Sequence, residues 1–328
     1  MNRKYYWPVI GHAKIKDYLK TQIETDNLTH AFAFLGPDAL GKKYLATLFA
    51  KSLFCESKEK LPCQQCPKCR QADAGVSSDL ISIEKDPEAK KISIKQIRDL
   101  QQQLSLKSFS TSCKCIVIDN AHLLTEEANN ALLKTLEEPH EKTLFILIAD
   151  HPQNLPGTII SRCQEIYFSP VPLYKIENWL ISRGLDKKEA KIISSLSLGK
   201  PGIAVELMRN KDEIINAQNL AKLISQAMQI SSVNEKFNLM SEYLKKGVEK
   251  EKYQQLLDTW EVVLRDYYII RQSNNITHRN LINSIKKGCR NYNIKELLRK
   301  QNIIFNSKKL INLSINPILV MENLLITI

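Results

Sequence analysis

Ala31–Lys42, AFAFLGPDALGK, is the stretch on which the fold turns. Ala31–Leu35 is a run of five apolar residues and predicts a buried strand. Gly36 breaks it, and Gly41-Lys42 opens a helix predicted to run to Phe54, with Leu45, Leu48, Phe49 and Leu53 on its apolar face. Gly36-x4-Gly41-Lys42 has the spacing of a phosphate-cradling loop. Such a loop aims backbone N–H groups inward at a helix N-terminus, where the partial positive charge favours phosphate. Gly36 and Gly41 permit that backbone path, and Lys42 would reach the β- and γ-phosphates. The next position departs from the pattern. Mg²⁺ is held there by Ser or Thr, and this chain has Lys43, which lacks a hydroxyl and carries a positive charge where the cation would sit. Asp38 adds a carboxylate near the phosphate seat. Both work against Mg-nucleotide, so the loop is expected to be a scaffold for the fold rather than a working ATP site.

Working outward, Leu80–Glu84, Cys115–Ile118 and Leu144–Ala149 read as further strands. The last two are apolar throughout, as strands buried on both faces of a parallel sheet are. Helices are predicted at His12–Ile23, at Ser93–Leu106 and at Thr125–Pro139, the last with Thr125 as N-cap and acids in its first turn. Trp7, Val9 and Ile10 precede the first helix and suit either a core cap or a base-binding role. Asp119, at the end of an apolar strand, takes the position from which an ATPase holds Mg²⁺ through water. The following residue in an active enzyme is a carboxylate that polarises the attacking water; here it is Asn120, which cannot accept a proton.

Four of the eight cysteines fall within fifteen residues, as Cys55-x7-Cys63-x2-Cys66-x2-Cys69. Short Cys-x2-Cys steps form tight turns that aim sulfurs inward, and Zn²⁺ takes four soft ligands in a tetrahedron. Four protein ligands leave no open position for water, so a structural rather than catalytic zinc is expected. The 328 residues are 43% hydrophobic and 25% charged, with a net charge of +12 and a pI near 9.2. A basic balance raises the odds of a nucleic-acid partner, with loose concentrations of charge at Lys245–Lys252 and Lys286–Lys309. Met1–Ile10 lacks an apolar core, and no run of 18 apolar residues occurs, so neither a signal peptide nor a membrane span is expected. The cysteines are then expected in a reducing cytoplasm, where a close cluster argues for metal before disulfide.

Asn130–Pro139, NALLKTLEEP, closely resembles the corresponding helix of bacterial clamp-loader subunits, which are AAA+ proteins. Ser161-Arg162-Cys163 resembles their arginine-finger motif, Gly199-Lys200-Pro201-Gly202 their lid, and the four-cysteine insert after the loop helix is another family mark. The resemblance runs by motif from about Trp7 to Met208. It implies an α/β AAA+ domain with the zinc module at 55–69 (residues 1–170), a helical lid (171–210) and an all-α collar that joins subunits (211–328). Of the family's two relevant types, motor subunits of gamma/tau kind carry intact ATP motifs, and a second type has degenerate motifs but keeps the finger. Lys43, Asn120 and Ile203, which stands where an active relative has a nucleotide-sensing arginine, all point to the second. The first cysteine gap is one residue shorter than the family pattern.

The resemblance therefore implies a non-hydrolysing subunit in DNA replication. Gly36, Gly41, Lys42 and Asp119 would form a degenerate nucleotide site, and Arg162 would act in trans on a neighbour's ATP. Its partners would be gamma/tau motors, the delta subunit and, through the complex, the sliding clamp and primed DNA. Two other classes compete: an ATP-hydrolysing motor in which Lys43 and Asn120 are tolerated, and a zinc-containing module that grips DNA directly. In residues 212–328 the chain reads as helical throughout. The clearest helix, Tyr253–Tyr268, places Leu256, Leu257, Trp260, Val263, Leu264 and Tyr267 at helical spacing, as core rather than as a stacking platform.

Overall fold

The computed structural model describes residues 4–57, 59–105, 113–138, 142–273, 276–313 and 315–328, the Asn312 side chain excepted. Leu106, the predicted end of one helix, and Pro139, expected just past the end of another, lie outside them. The chain forms two compact units, Met1–Trp179 with Gly199–Ile203, and Leu180–Leu198 with Ala204–Ile328.

In the first unit, β1 (Lys4–Tyr5) leads to α1 (Ala13–Glu24), β2 (Ala31–Leu35) and α2 (Lys42–Phe54). Then come β3 (Lys60–Leu61), α3 (Pro67–Asp73), β4 (Leu80–Ile83), α4 (Ile94–Ser105), β5 (Lys114–Ile118) and α5 (Glu126–Glu137). β6 (Thr143–Ala149), α6 (Gly157–Ile160) and β7 (Gln164–Tyr167) complete the sheet, and α7 (Leu173–Ser182) begins in this unit. Five strands form one parallel sheet in the order β4-β5-β6-β2-β7. Period-two alternation of side chains splits the central strands between two cores. Ala31, Ala33 and Leu35 of β2 pack with Phe145 and Leu147 of β6 on the face that α4 and α5 cover. Phe32 and Phe34 pack with Leu144 and Ile146 on the other face, against Leu19 of α1 and Leu45 and Phe49 of α2. Both faces are covered, which is why β2 and β6 read as continuous apolar runs. Phe49 meets Phe32 and Trp7 edge-on, at centroid distances of 5.8 and 6.0 Å, and Trp7 Nε1 donates to Ser52 Oγ at 2.9 Å.

Parallel strands put all their C-terminal ends at one edge. Gly36 after β2, Glu84 after β4, Asp119 after β5, Asp150 after β6 and Phe168 after β7 therefore share that edge, where open α/β sheets bind ligands. A second, two-stranded parallel sheet pairs β1 with β3 and ties the N-terminal segment to the cysteine insert. It has no counterpart in the sequence pattern, because two-residue strands carry no periodicity.

The second unit is helical. It holds α8 (Lys187–Leu196), most of α9 (Pro201–Arg209), α10 (Lys211–Ala227), α11 (Val233–Leu239), α12 (Lys250–Ile269), α13 (Ile282–Cys289), α14 (Ile294–Asn312) and α15 (Pro317–Thr327). Tyr253, Leu256, Leu257, Trp260, Val263, Leu264 and Tyr267 of α12 are all buried in its core, as the spacing predicts. Trp260 Nε1 points at Met228 Sδ, 3.5 Å away. Asp266 is fully buried, and its carboxylate accepts the backbone N–H groups of Thr277 and His278 and bonds the His278 ring at 2.8 Å. These bonds compensate a burial that would otherwise be costly. Among the described residues, no helix is long and apolar enough to cross a membrane.

Candidate functional site

The loop at the head of α2 has the backbone that the glycines predict. Gly36 lies at φ +137° and Gly41, which caps α2, at φ +87°. Gly36, however, answers to a second demand. Its N–H donates to the carbonyls of Ala149 and Asp150 at 3.2 and 3.0 Å, and a Cβ placed on it would overlap the Phe168 carbonyl oxygen. The glycine is needed to close β6 and β7 over the loop, whatever the loop holds. Ala39, at φ 62°, accepts the Gly202 N–H through its carbonyl at 2.8 Å, so the first turn of α9 docks on the same loop.

Lys42, only 5% exposed, turns back on its own loop. Its ammonium donates to the Gly36 carbonyl and, at 2.9 Å, to that of Pro37. Asp38 Oδ1 is 3.7 Å away. Burial lowers the Lys42 pKa, and Asp38, Asp150 and Asp119 offset only part of that. Lys43 reaches the other way. Its Nζ lies 2.5 Å from Glu84 Oε1 and 3.4 Å from Asp119 Oδ2. Partial burial pulls its pKa down, but the Glu84 hydrogen bond and the charges of Asp119 and Glu84 outweigh it, leaving the pKa raised. Mg²⁺ requires a near-octahedral shell of oxygens. Here the Asp119 carboxylate is already engaged by a tethered ammonium, and no hydroxyl follows Lys42. These residues do not fit a divalent cation. Asn120, at φ 52°, donates its N–H to Asp119 Oδ1 at 3.0 Å and brings no carboxylate. Nearby Asp150 accepts Asn154 Nδ2 and the His151 N–H, each at 2.8 Å. These bonds and the His122 charge overcome a raising by burial and lower its pKa.

The four predicted cysteine ligands do converge. The Sγ atoms of Cys55, Cys63, Cys66 and Cys69 all lie within 4.8 Å of one another, and a Zn–S length of about 2.3 Å sets tetrahedral S···S edges near ~3.8 Å. Local geometry explains the convergence. Gln64 takes a left-handed φ of 62°, so the N–H groups of Gln65 and Cys66 both point at Cys63 Sγ, at 3.4 and 3.3 Å. The Cys63 N–H points in turn at Cys55 Sγ at 3.3 Å. Cys66 caps α3, with Pro67 in its first turn, and Cys69 stands three residues on. Burial raises the Cys63 thiol, yet the Gln65 and Cys66 N–H groups more than reverse that and bring it to about 6. Burial raises Cys55 and Cys69. The donor set and geometry fit a tetrahedral thiolate site. Lys51 to Asp73 (2.6 Å) and Lys68 to Asp79 (3.2 Å) pin α3.

Arg162 stands at the opposite edge of the sheet. It precedes β7, whose first residue, Gln164, pairs with Phe32 near the start of β2. The strands between it and the loop are four to seven residues long, or roughly 13–23 Å at ~3.3 Å per residue. The guanidinium, 35% exposed, is aimed by Glu137 Oε1 at 2.6 Å and the Thr158 carbonyl at 2.8 Å. Ser161 Oγ donates to that same carbonyl at 3.1 Å. Cys163 packs against the sheet core, and burial, with Glu165 adding to it, pushes its thiol up to about 12. Glu84 and Glu137 were not singled out by sequence reading. Their partners lie 41 and 25 residues away, and only the sheet order brings them together.

Across 317 residues the chain is 30% identical to subunit delta-prime of DNA polymerase III from Bacillus subtilis, covering 95% of this chain and 94% of that one. It belongs to the clamp-loader subunit family of DNA polymerase III. The family model described as "DNA polymerase III, delta subunit" matches residues 11–172. Subunit tau of the same organism shares 37% identity over 164 residues, half of this chain and 29% of that longer one. A gamma subunit-related DNA polymerase III protein of Thermotoga maritima aligns over 94% of this chain and 97% of its own, with a TM-score of 0.44 and 16% identity. The chain itself carries a parallel α/β sheet followed by a helical C-terminal part.

Proposed function

We propose that this chain is the non-hydrolysing, delta-prime-type subunit of the clamp loader and lends Arg162 to ATP held by a neighbouring motor subunit. The observation that carries the reading is the pairing of a closed seat with a distant arginine. Lys43 fills the space between Glu84 and Asp119, while Arg162 stands at the far edge of the sheet, beyond reach of its own loop. A guanidinium there, held by Glu137 and the Thr158 carbonyl, could meet a phosphate on another subunit, where it would stabilise charge developing on the transferred group. The Cys55, Cys63, Cys66 and Cys69 thiolates would hold a structural Zn²⁺. Residues 1–170, 171–210 and 211–328 would act as AAA+ domain, lid and collar. On α14 and α15, Leu298, Phe305, Leu319 and Ile326 are more than half exposed, which suits a collar packed against gamma/tau and delta partners. The work would be cytoplasmic and serve loading of the sliding clamp on primed DNA.

The test is reconstitution with motor and delta subunits, comparing wild type with Arg162→Ala. DNA-stimulated ATP hydrolysis by the assembly should fall several-fold, by the share of the site that Arg162 serves, while assembly itself is intact. The isolated chain should turn over no ATP. An undiminished rate in the variant assembly would sink the trans role.

A further inference from the structure

The cation-rich part of the second unit has no place in the reading above. From Tyr267 to Arg299 the chain carries seven Lys and Arg against a single acid, Glu296. Glu296 is committed to the capping box at the head of α14. Three of the seven cations, Arg271, Lys286 and Arg290, line one open cavity of about 320 Å³ with Ile270 and Cys289, and no carboxylate lines it. Among the described residues, neither Lys286 nor Arg290 makes an ion pair.

Arg271 is fixed in place there. Its Nε donates to Cys289 Sγ at 3.0 Å, and its Nη2 to the carbonyl of Cys289 at 2.9 Å and to that of Tyr292. Cys289 is itself buried and donates its thiol to the Tyr267 carbonyl at 3.2 Å. Gly288 lets α13 approach so closely, since a Cβ there would come within 2.5 Å of Tyr267 Oη. The guanidinium is thus held against the end of α13 by the buried Cys289 and the Tyr292 carbonyl, and little side-chain entropy remains to be lost on binding. Lys286 and Arg290, both exposed, extend the positive field along the same helix end. Grouped like charges with no local counter-charge favour an anion. The shape narrows the class, because small ligands are taken into enclosed pockets that cover most of their surface. An open cleft in a long cationic stretch suits a polyanion passing across it, with charges repeated at close intervals.

We propose that the Arg271–Lys286–Arg290 cleft contacts the phosphodiester backbone of single-stranded nucleic acid, independently of the nucleotide-type loop and the cysteine cluster. Binding there is electrostatic and indifferent to base sequence.

The probe is a fluorescent single-stranded oligonucleotide, titrated with the full chain at several salt concentrations and followed by anisotropy. Wild type should bind with log affinity falling against log salt at a slope of about −2, from three contacts at ~0.7 each. Lys286→Glu with Arg290→Glu should weaken binding at least about tenfold and flatten the slope by ~1.4. Lys245→Glu with Lys246→Glu, in the other basic stretch, should leave affinity within about twofold of wild type, since its charges lie outside the cleft. If the Glu pair disturbs folding, judged by circular dichroism, Lys286→Gln with Arg290→Gln replaces it. No oligonucleotide binding by wild type overturns the proposal, as does equal loss from both charge-reversal pairs. Displacement by inorganic pyrophosphate beyond its ionic-strength effect makes the ligand a free anion, and displacement by polyglutamate at equal charge makes it an acidic protein. Either result also overturns it. None of these outcomes depends on Arg162 or on ATP, so this proposal and the trans role fail separately.

Discussion

At Gly36 two demands meet on one residue. A phosphate loop needs the backbone freedom of glycine there, and so does this fold, because the Phe168 carbonyl occupies the space a Cβ would take. Gly36 is therefore held to glycine whether or not the loop binds a phosphate. The same holds in reverse for Lys42, a residue whose type suggests phosphate and whose ammonium is spent on the carbonyls of Gly36 and Pro37. His12 belongs to this neighbourhood, with Nε2 3.2 Å from the Leu40 carbonyl and its ring 4.9 Å from Phe168. Burial lowers its pKa below 6.5, Lys16 and Lys175 adding to the effect and the Leu40 bond opposing it. A histidine with a depressed folded pKa takes up its proton more readily when unfolded. Its contribution to stability is thus full above pH 6.5 and is lost as pH falls through the lower folded value. His12→Asn removes the titration while tolerating the left-handed φ of 53°. Urea midpoints followed below pH 6.5 should fall less steeply in this variant, and an unchanged slope would assign the acid loss to other groups.

Among elements, the cysteine insert is a small structure with few apolar contacts of its own. α3 has one buried residue, Cys69, and β1–β3 is a two-residue pairing. A structure this small would draw much of its stability from a metal bound by the four thiolates. Cys66→Ser, or removal of zinc with a strong chelator, should abolish stoichiometric zinc by elemental analysis. It should also expose residues 55–69 to limited proteolysis while the five-stranded sheet keeps its far-ultraviolet signal. Retained zinc in the variant would remove Cys66 from the ligand set. This is also the scale at which the sequence was most legible. β2 and α2 occupy Ala31–Leu35 and Lys42–Phe54, the limits that apolar runs and glycines predict. Thr125 caps α5 through its side chain, accepting the Ala128 N–H. The four cysteines converge because their spacing is short enough to be a local property. What stayed illegible was non-local: the Lys43–Glu84 and Arg162–Glu137 pairs depend on which strand ends lie side by side. No periodicity encodes strand order.

For the whole molecule, the stripe on α14 carries the clearest consequence. Ile294, Leu298 and Phe305 recur at intervals of four and seven, and Phe305 is 66% exposed. A single exposed phenylalanine adds little to the stability of a lone chain, but a packed one anchors an interface. Phe305→Asp should leave the unfolding midpoint of the isolated chain within about 0.5 kcal/mol of wild type and weaken association with motor subunits at least about tenfold, measured by analytical ultracentrifugation. Unimpaired association would move the interface elsewhere. The division of labour in this chain is spatial. Two edges of one parallel sheet carry opposite features, a lysine-filled seat at one and an aimed arginine at the other.

The ammonium joining Glu84 to Asp119 belongs to the covalent chain. It does not exchange, resists every chelator, and is delivered by translation itself. The link between those two strand ends therefore needs neither nucleotide nor magnesium. On the proposed reading, this part would serve as a fixed ruler within a machine that runs on fuel.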